Sequence, residues 1–251
     1  MWVWFHKLGS PPYFFRFSGI VLPYLAVACL LSLCIGVYWG LFIAPPDYQQ
    51  SETVRIMYIH VPAAMFSMSI YIVMALAGAV TLIWRIKLAE LIAAASAPIG
   101  ASYTFIALVT GSLWGRTAWG NTYWEWSDPR LMSELVLFFL YLGYIALYYA
   151  SEDRRGAARA AAVLALVGLV NIPIIHYSVE WWTSLHQGST TRGTQIAATV
   201  HPSMRYPLFI MMLGFALFYA VTLMKNTRSM LLASERNNAW VKEVVSQHES
   251  P

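Results

Sequence analysis

Six runs of apolar residues, with charge gathered at their ends, organise the chain: 20–43, 57–84, 91–113, 131–150, 160–175 and 205–224. A run of about 18 or more such residues is long enough to cross a hydrocarbon layer of about 30 Å as a helix. Only a helix or a closed barrel satisfies its own backbone in that layer. The pattern therefore predicts an all-α integral membrane protein with six transmembrane helices, residues 1–226 forming one membrane domain. Residues 227–251 read as a tail, a surface helix or partly disordered. The aromatic opening, MWVWFHKLGSPPYFFRF, reads as a stretch lying on the membrane surface. The first apolar run is too long for a cleaved leader and lacks a small-residue cleavage site, so it is expected to stay as an anchor.

Composition sharpens this class. The chain is 59% apolar and only 11% charged, with a mean hydropathy of +0.55, against roughly 25% charged residues in soluble domains. The net charge of +4 comes from basic residues scattered beside the apolar runs, which points to the lipid bilayer and not to nucleic acid. Lys7, Arg16, Arg85, Lys87, Arg154, Arg155, Arg159, Lys225, Arg228, Arg236 and Lys242 fall on one side. Arg55, Arg116, Arg130, Arg192 and Arg205 fall on the other, eleven against five of the sixteen Lys and Arg. Positive residues stay inside, so both termini are expected in the cytoplasm. Cys29 and Cys34 sit in the first run as small hydrophobes, and no phosphate-binding G-x-x-x-x-G-K-[ST] loop occurs.

The inner turns are short and charged, whereas the outer connections 44–56, 114–130 and 176–204 are longer and carry the unusual residues. Four of the six histidines lie at or near this outer face: His60, His176, His186 and His201. Trp114, Trp119, Trp124, Trp126, Trp181 and Trp182 crowd two of the same connections. Interfacial belts enrich Trp at both faces, so clustering on one face beside histidines asks for another reason. A haem would need stacking surface, neutral imidazoles for its iron and cations for two propionates. The Trp rings supply the first and His60 and His186 the second. Arg55 and Arg130 are candidates for the third, with snorkelling toward the interface as the alternative. His176 reads as a supporting or helix-terminal residue and His201 as a loop residue. Glu134 opens the fourth span, where an intramembrane carboxylate is a functional candidate. Glu180 precedes the Trp pair and carries the same ambiguity. No nucleophile with an adjacent base and no carboxylate pair at catalytic spacing is evident, so no catalytic residue is assigned.

The run TGSLWGRTAWGNTYWEWSDPRLMSELVLFFLY, with APPDYQQ, RIMYIHVPAA, IPIIHYSVEWWTSLHQGST and HPSMRYPL, resembles the cytochrome c maturation protein C family, whose members carry a tryptophan-rich (WWD) outer loop. The likeness extends over residues 2–240. It implies a haem-handling subunit of a bacterial inner membrane, with its haem b site facing the periplasm and His60 and His186 as the axial ligands. The implied partners are a membrane-tethered haem chaperone, a two-component ABC transporter that supplies the ATPase, and a small single-span subunit. The family loop reads W-G-x-x-W-x-W-D, and here it holds two extra residues. Trp119, Gly120, Trp124, Trp126 and Asp128 are the natural equivalents, which leaves Ser127 and Asp128 both open as the cap of the fourth span. The rival readings are a b-type electron-transfer cytochrome, a haem-translocating permease and a protein-docking scaffold.

Overall fold

A computed structural model of the chain describes residues 9–120, 123–150, 152–184, 186 and 200–249; the side chains of 118, 119 and 247–249 lie outside that description. Its described elements are α1 (Pro11–Tyr38), extended by a π-helical turn (Trp39–Ile43), and a 3-10 turn (Glu52–Ile56) leading into α2 (Met57–Trp84). There follow α3 (Lys87–Trp119), α4 (Pro129–Tyr149), α5 (Arg154–Gly168), α6 (Asn171–Trp181), α7 (Pro202–Ser234) and α8 (Ala239–Glu249). Six helical stretches are long and apolar enough to cross a membrane, with α5 and α6 together forming the fifth. No strand occurs among the described residues; one isolated bridge pairs Asp47 with Ser51.

The start and stop signals explain most of the boundaries. Pro11, Pro129 and Pro202 stand at first helical positions, where the missing N–H costs nothing and the fixed φ suits a helix. Arg85 ends α2 in the left-handed conformation, φ 56°. The fifth span is broken between Gly168 and Asn171. The turn at Leu169 and Val170 is stitched to α4 by Asn171 Nδ2, which donates to the Ser133 carbonyl at 2.9 Å.

Three expectations need correction. Residues 11–17 are not a separate surface segment: they continue the first helix without a break. The expected division at 226/227 falls inside α7, which runs on to Ser234 before α8 begins. This tail docks, with Trp240 against Phe15 at 5.6 Å and Arg228 over the Phe15 ring at 3.7 Å. His201 is no plain loop residue. It caps α7, its side chain accepting from the Ser203 N–H.

The main core joins Ile70, Tyr71 and Met74 of α2 to alanines of α3 and α5 and to Leu137, Tyr141 and Tyr144 of α4. Small residues let helices approach where lipid supplies no hydrophobic drive between them. At Gly100 a Cβ would run into the Tyr141 ring. Tyr141 in turn donates to the Ser67 carbonyl at 2.7 Å, so this contact tightens α3, α4 and α2 beneath one end of the bundle.

Candidate haem site at one end of the bundle

His60 lies in the first turn of α2, and its neighbours come from one face of α3. Ala107, Thr110, Gly111 and Trp114 follow the three- and four-residue steps that bring helical side chains to one stripe. His60 Nδ1 stands 3.1 Å from the Ala107 carbonyl and 3.1 Å from Thr110 Oγ1. A carbonyl can only accept, so the neutral ring carries its proton on Nδ1 and keeps a lone pair on Nε2. Gly111 makes room for the ring: a Cβ there would come within 2.9 Å of His60 Cε1. Trp114 meets the imidazole edge-on at 5.7 Å, and its indole N–H donates to Gln50 at 2.7 Å. Pro62 stands in the second turn of α2.

His186 is held by the start of α4. Asp128 caps α4, accepting from the Leu131 N–H at 2.9 Å, which settles the choice between it and Ser127. Its other oxygen accepts from Ser184 Oγ at 2.7 Å, and the His186 backbone N–H donates to the same hydroxyl at 3.1 Å. His186 Nδ1 stands 3.2 Å from Asp128 Oδ1. Burial pushes the Asp128 carboxyl upward, but hydrogen bonds from His186, the Leu131 N–H and Ser184 hold it well below the ordinary carboxylate range.

The Arg130 guanidinium, in the first turn of α4, lies in the same polar region as His60, Asp128 and Glu134. Glu134 is buried, accepting from Ser67 Oγ at 2.7 Å, one polar layer further into the bundle from His60. Arg55 is engaged elsewhere. Its Nη1 donates to the carbonyls of Gly40 at 2.7 Å and Ala44 at 3.1 Å, closing the end of the π-helical turn, and its Nε pairs with Glu52. Among the described residues Arg130 has no such hydrogen bond, which makes it the better placed of the two cations to meet an anionic ligand.

Trp124 and Trp126 meet edge to face at 5.7 Å, with Trp126 72% exposed. Gly120 turns the chain at φ 101°, where no side chain is comfortable. Arg116 lies over Tyr123 at 4.5 Å. Trp181 and Trp182, both exposed, meet at 5.7 Å, and Tyr177 stacks on Trp181 at 5.3 Å. His176 packs edge-on against Tyr177 at 4.8 Å, and Glu180 is exposed on the same helix. The Trp119 side chain, Asn121, Thr122 and Arg192 lie outside the described residues.

This arrangement suits one kind of ligand chemistry. Each imidazole has Nδ1 beside a fixed oxygen, the support that metal-bound histidine almost always has. Among the described residues no three or more His, Cys, Asp or Glu converge as they would on a bare metal ion. Two supported imidazoles, exposed indoles and one uncommitted guanidinium match an iron already ringed by a flat anionic macrocycle. The sequence missed Gln50, Ala107, Thr110, Gly111 and Ser184, all of which act through tertiary contacts. Gly111, a glycine facing the outer end of an apolar span, was the one signal available in the sequence.

Residues 4–242 match the family model described as Heme exporter protein C. Heme exporter protein C of Escherichia coli (strain K12) is 50% identical over 245 residues, 98% of both chains. The protein of the same description from Haemophilus influenzae is 45% identical, over 96% of this chain and 97% of the relative. A ccmC-like mitochondrial protein from Marchantia polymorpha, whose name refers to cytochrome c biosynthesis, is 38% identical over 87% of this chain and 90% of its own length.

Proposed function

The chain belongs to the heme exporter protein C family, and from that membership we propose that it handles haem in cytochrome c maturation by holding it at one membrane face between His60 and His186. The observation that carries this reading is the matched support of the two imidazoles. One is fixed by α3 through Ala107 and Thr110, the other by the start of α4 through Asp128. Bound there, the haem is cargo, and the iron would take Nε2 from each ring.

The rest of the site divides the remaining work. The Trp124 and Trp126 indoles form an aromatic rim against the macrocycle, in the same stretch of chain as Trp119 and Gly120. Arg130 pairs with a propionate, whereas Arg55 holds the end of the first span and contributes by keeping the approach to α2 in place. A rim with exposed indoles excludes water from one side of a flat ring and leaves another side open. That suits transfer to a membrane-tethered haem chaperone better than permanent retention. The haem is of the b type, held without covalent bonds. The basic residues crowd the end that carries both termini, so the site faces the periplasm of a bacterial inner membrane. Nucleotide hydrolysis belongs to an associated two-component ABC transporter, joined by a small single-span subunit. A b-type electron-transfer cytochrome would place imidazole pairs deep in the bundle, unlike the positions of His60 and His186.

The test is haem retention. Wild-type protein purified in detergent should carry haem that acid extraction removes intact, and His60→Ala and His186→Ala should each lose most of it. Wild-type haem content in both variants would remove the reading.

A further inference from the structure

A buried carboxylate is an expensive way to cap a helix. Serine or threonine caps as well as aspartate does, and an exposed serine, Ser127, stands next to it. Yet Asp128 is only 2% exposed, and taking a carboxylate out of water costs several kcal/mol unless hydrogen bonds replace its hydration. Its contacts show where the replacement comes from. Leu131 N–H and Ser184 Oγ donate at 2.9 and 2.7 Å, and His186 Nδ1 lies at 3.2 Å. Ser184 also accepts from the His186 backbone, so one carboxylate fastens the backbone and the ring of the same histidine to the start of α4.

We propose that Asp128 is a positioning residue for His186, accepting its Nδ1 proton and so turning Nε2 toward the iron with raised basicity, and is not itself a contact to the macrocycle. This rests on the reading of His186 as a haem ligand. It also separates the two histidines. His60 leans on a neutral carbonyl and a hydroxyl, whereas His186 leans on an anion. A carboxylate partner gives an imidazole more anionic character and favours ferric over ferrous iron. Asp128 therefore acts on the oxidation state as well as on the geometry, and it does so through the ligand contributed by the third outer connection.

Two substitutions separate this role from capping. Asp128→Asn keeps the shape and an acceptor oxygen but removes the charge. Asp128→Ser keeps the cap yet is too short to reach His186. Each is purified with haem beside wild type and His186→Ala, and read by absorption spectrum, midpoint potential and melting temperature. For Asp128→Asn the expected result is a wild-type six-coordinate spectrum with the ferric preference reduced about tenfold, a rise of about 59 mV for this one-electron couple. Asp128→Ser should melt near wild type but lose six-coordinate haem. Wild-type spectra and potentials in both variants would overturn the inference, as would a lowered melting temperature with no spectral or potential change, which is the mark of a cap alone. If Asp128→Ser fails to fold, the potential of Asp128→Asn decides. A wild-type spectrum in His186→Ala would instead defeat the ligand reading on which the proposal rests.

Discussion

Gly111→Ala adds one methyl group at the back of the His60 imidazole, and its effect can be worked from the geometry. The new carbon would lie 2.9 Å from His60 Cε1 and 3.4 Å from Nδ1, against a comfortable separation of about 3.5 Å or more. The ring must retreat from α3 by about 0.6 Å to reach that separation. Both partners of Nδ1, the Ala107 carbonyl and Thr110 Oγ1, are on α3 as well and start at 3.1 Å. A retreat of that size takes them to about 3.7 Å, outside hydrogen-bonding range. Two lost hydrogen bonds at about 1 kcal/mol each, with about 1 kcal/mol of residual crowding, sum to about 3 kcal/mol. Both hydrogen bonds exist before a ligand binds, so this loss falls on folding stability, and a ring moved off its support also meets the iron less well. The melting temperature should fall, and haem affinity, measured by spectroscopic titration of haem-free protein, should fall with it. Wild-type affinity would refute the reasoning that His60 is tuned by its contact with α3. An unfolded variant would show that Gly111 serves helix packing first.

Other perturbations follow from the same contacts. Arg130→Gln should weaken haem by about 1.5–3 kcal/mol, the value of a charge-assisted hydrogen bond, yet leave binding of haem with esterified propionates unchanged, as competitive titration would show. Arg55→Ala should instead lower the melting temperature, because the Gly40 and Ala44 carbonyls lose their donor; a change in haem affinity without loss of stability would contradict that assignment. Asn171→Ala removes the stitch to Ser133 at the break in the fifth span and should cost about 1 kcal/mol of thermal stability with an unaltered haem spectrum.

What could be read from the sequence follows the range of the forces involved. The second span begins and ends where its apolar run does, at Met57 and Trp84, because burial in lipid acts on each residue in turn. The first and last spans run past their apolar runs, since a hydrogen-bonded helix continues into water until a breaker stops it: Tyr13–Phe17 and the residues up to Ser234 carry none, and the prolines at 11 and 12 stand where the first helix starts. The histidines stood out as residue types, but their supports did not. Ala107 and Thr110 lie 47 and 50 positions from His60, and Asp128 reaches Ser184 across 56. Such distances are closed only by helix packing, which hydropathy does not encode. Arg55 shows the opposite failure. As a cation near His60 it was a propionate candidate, but two carbonyls at the end of the π-helical turn were nearer acceptors.

The most direct test of shared ligation is the low-temperature electron paramagnetic resonance spectrum of ferric haem in the purified protein, recorded beside His60→Ala and His186→Ala. Wild type should give the low-spin signal of iron between two imidazoles, and each single variant should convert it to high spin. A high-spin wild type, or a low-spin signal that survives either substitution unchanged, would contradict the account.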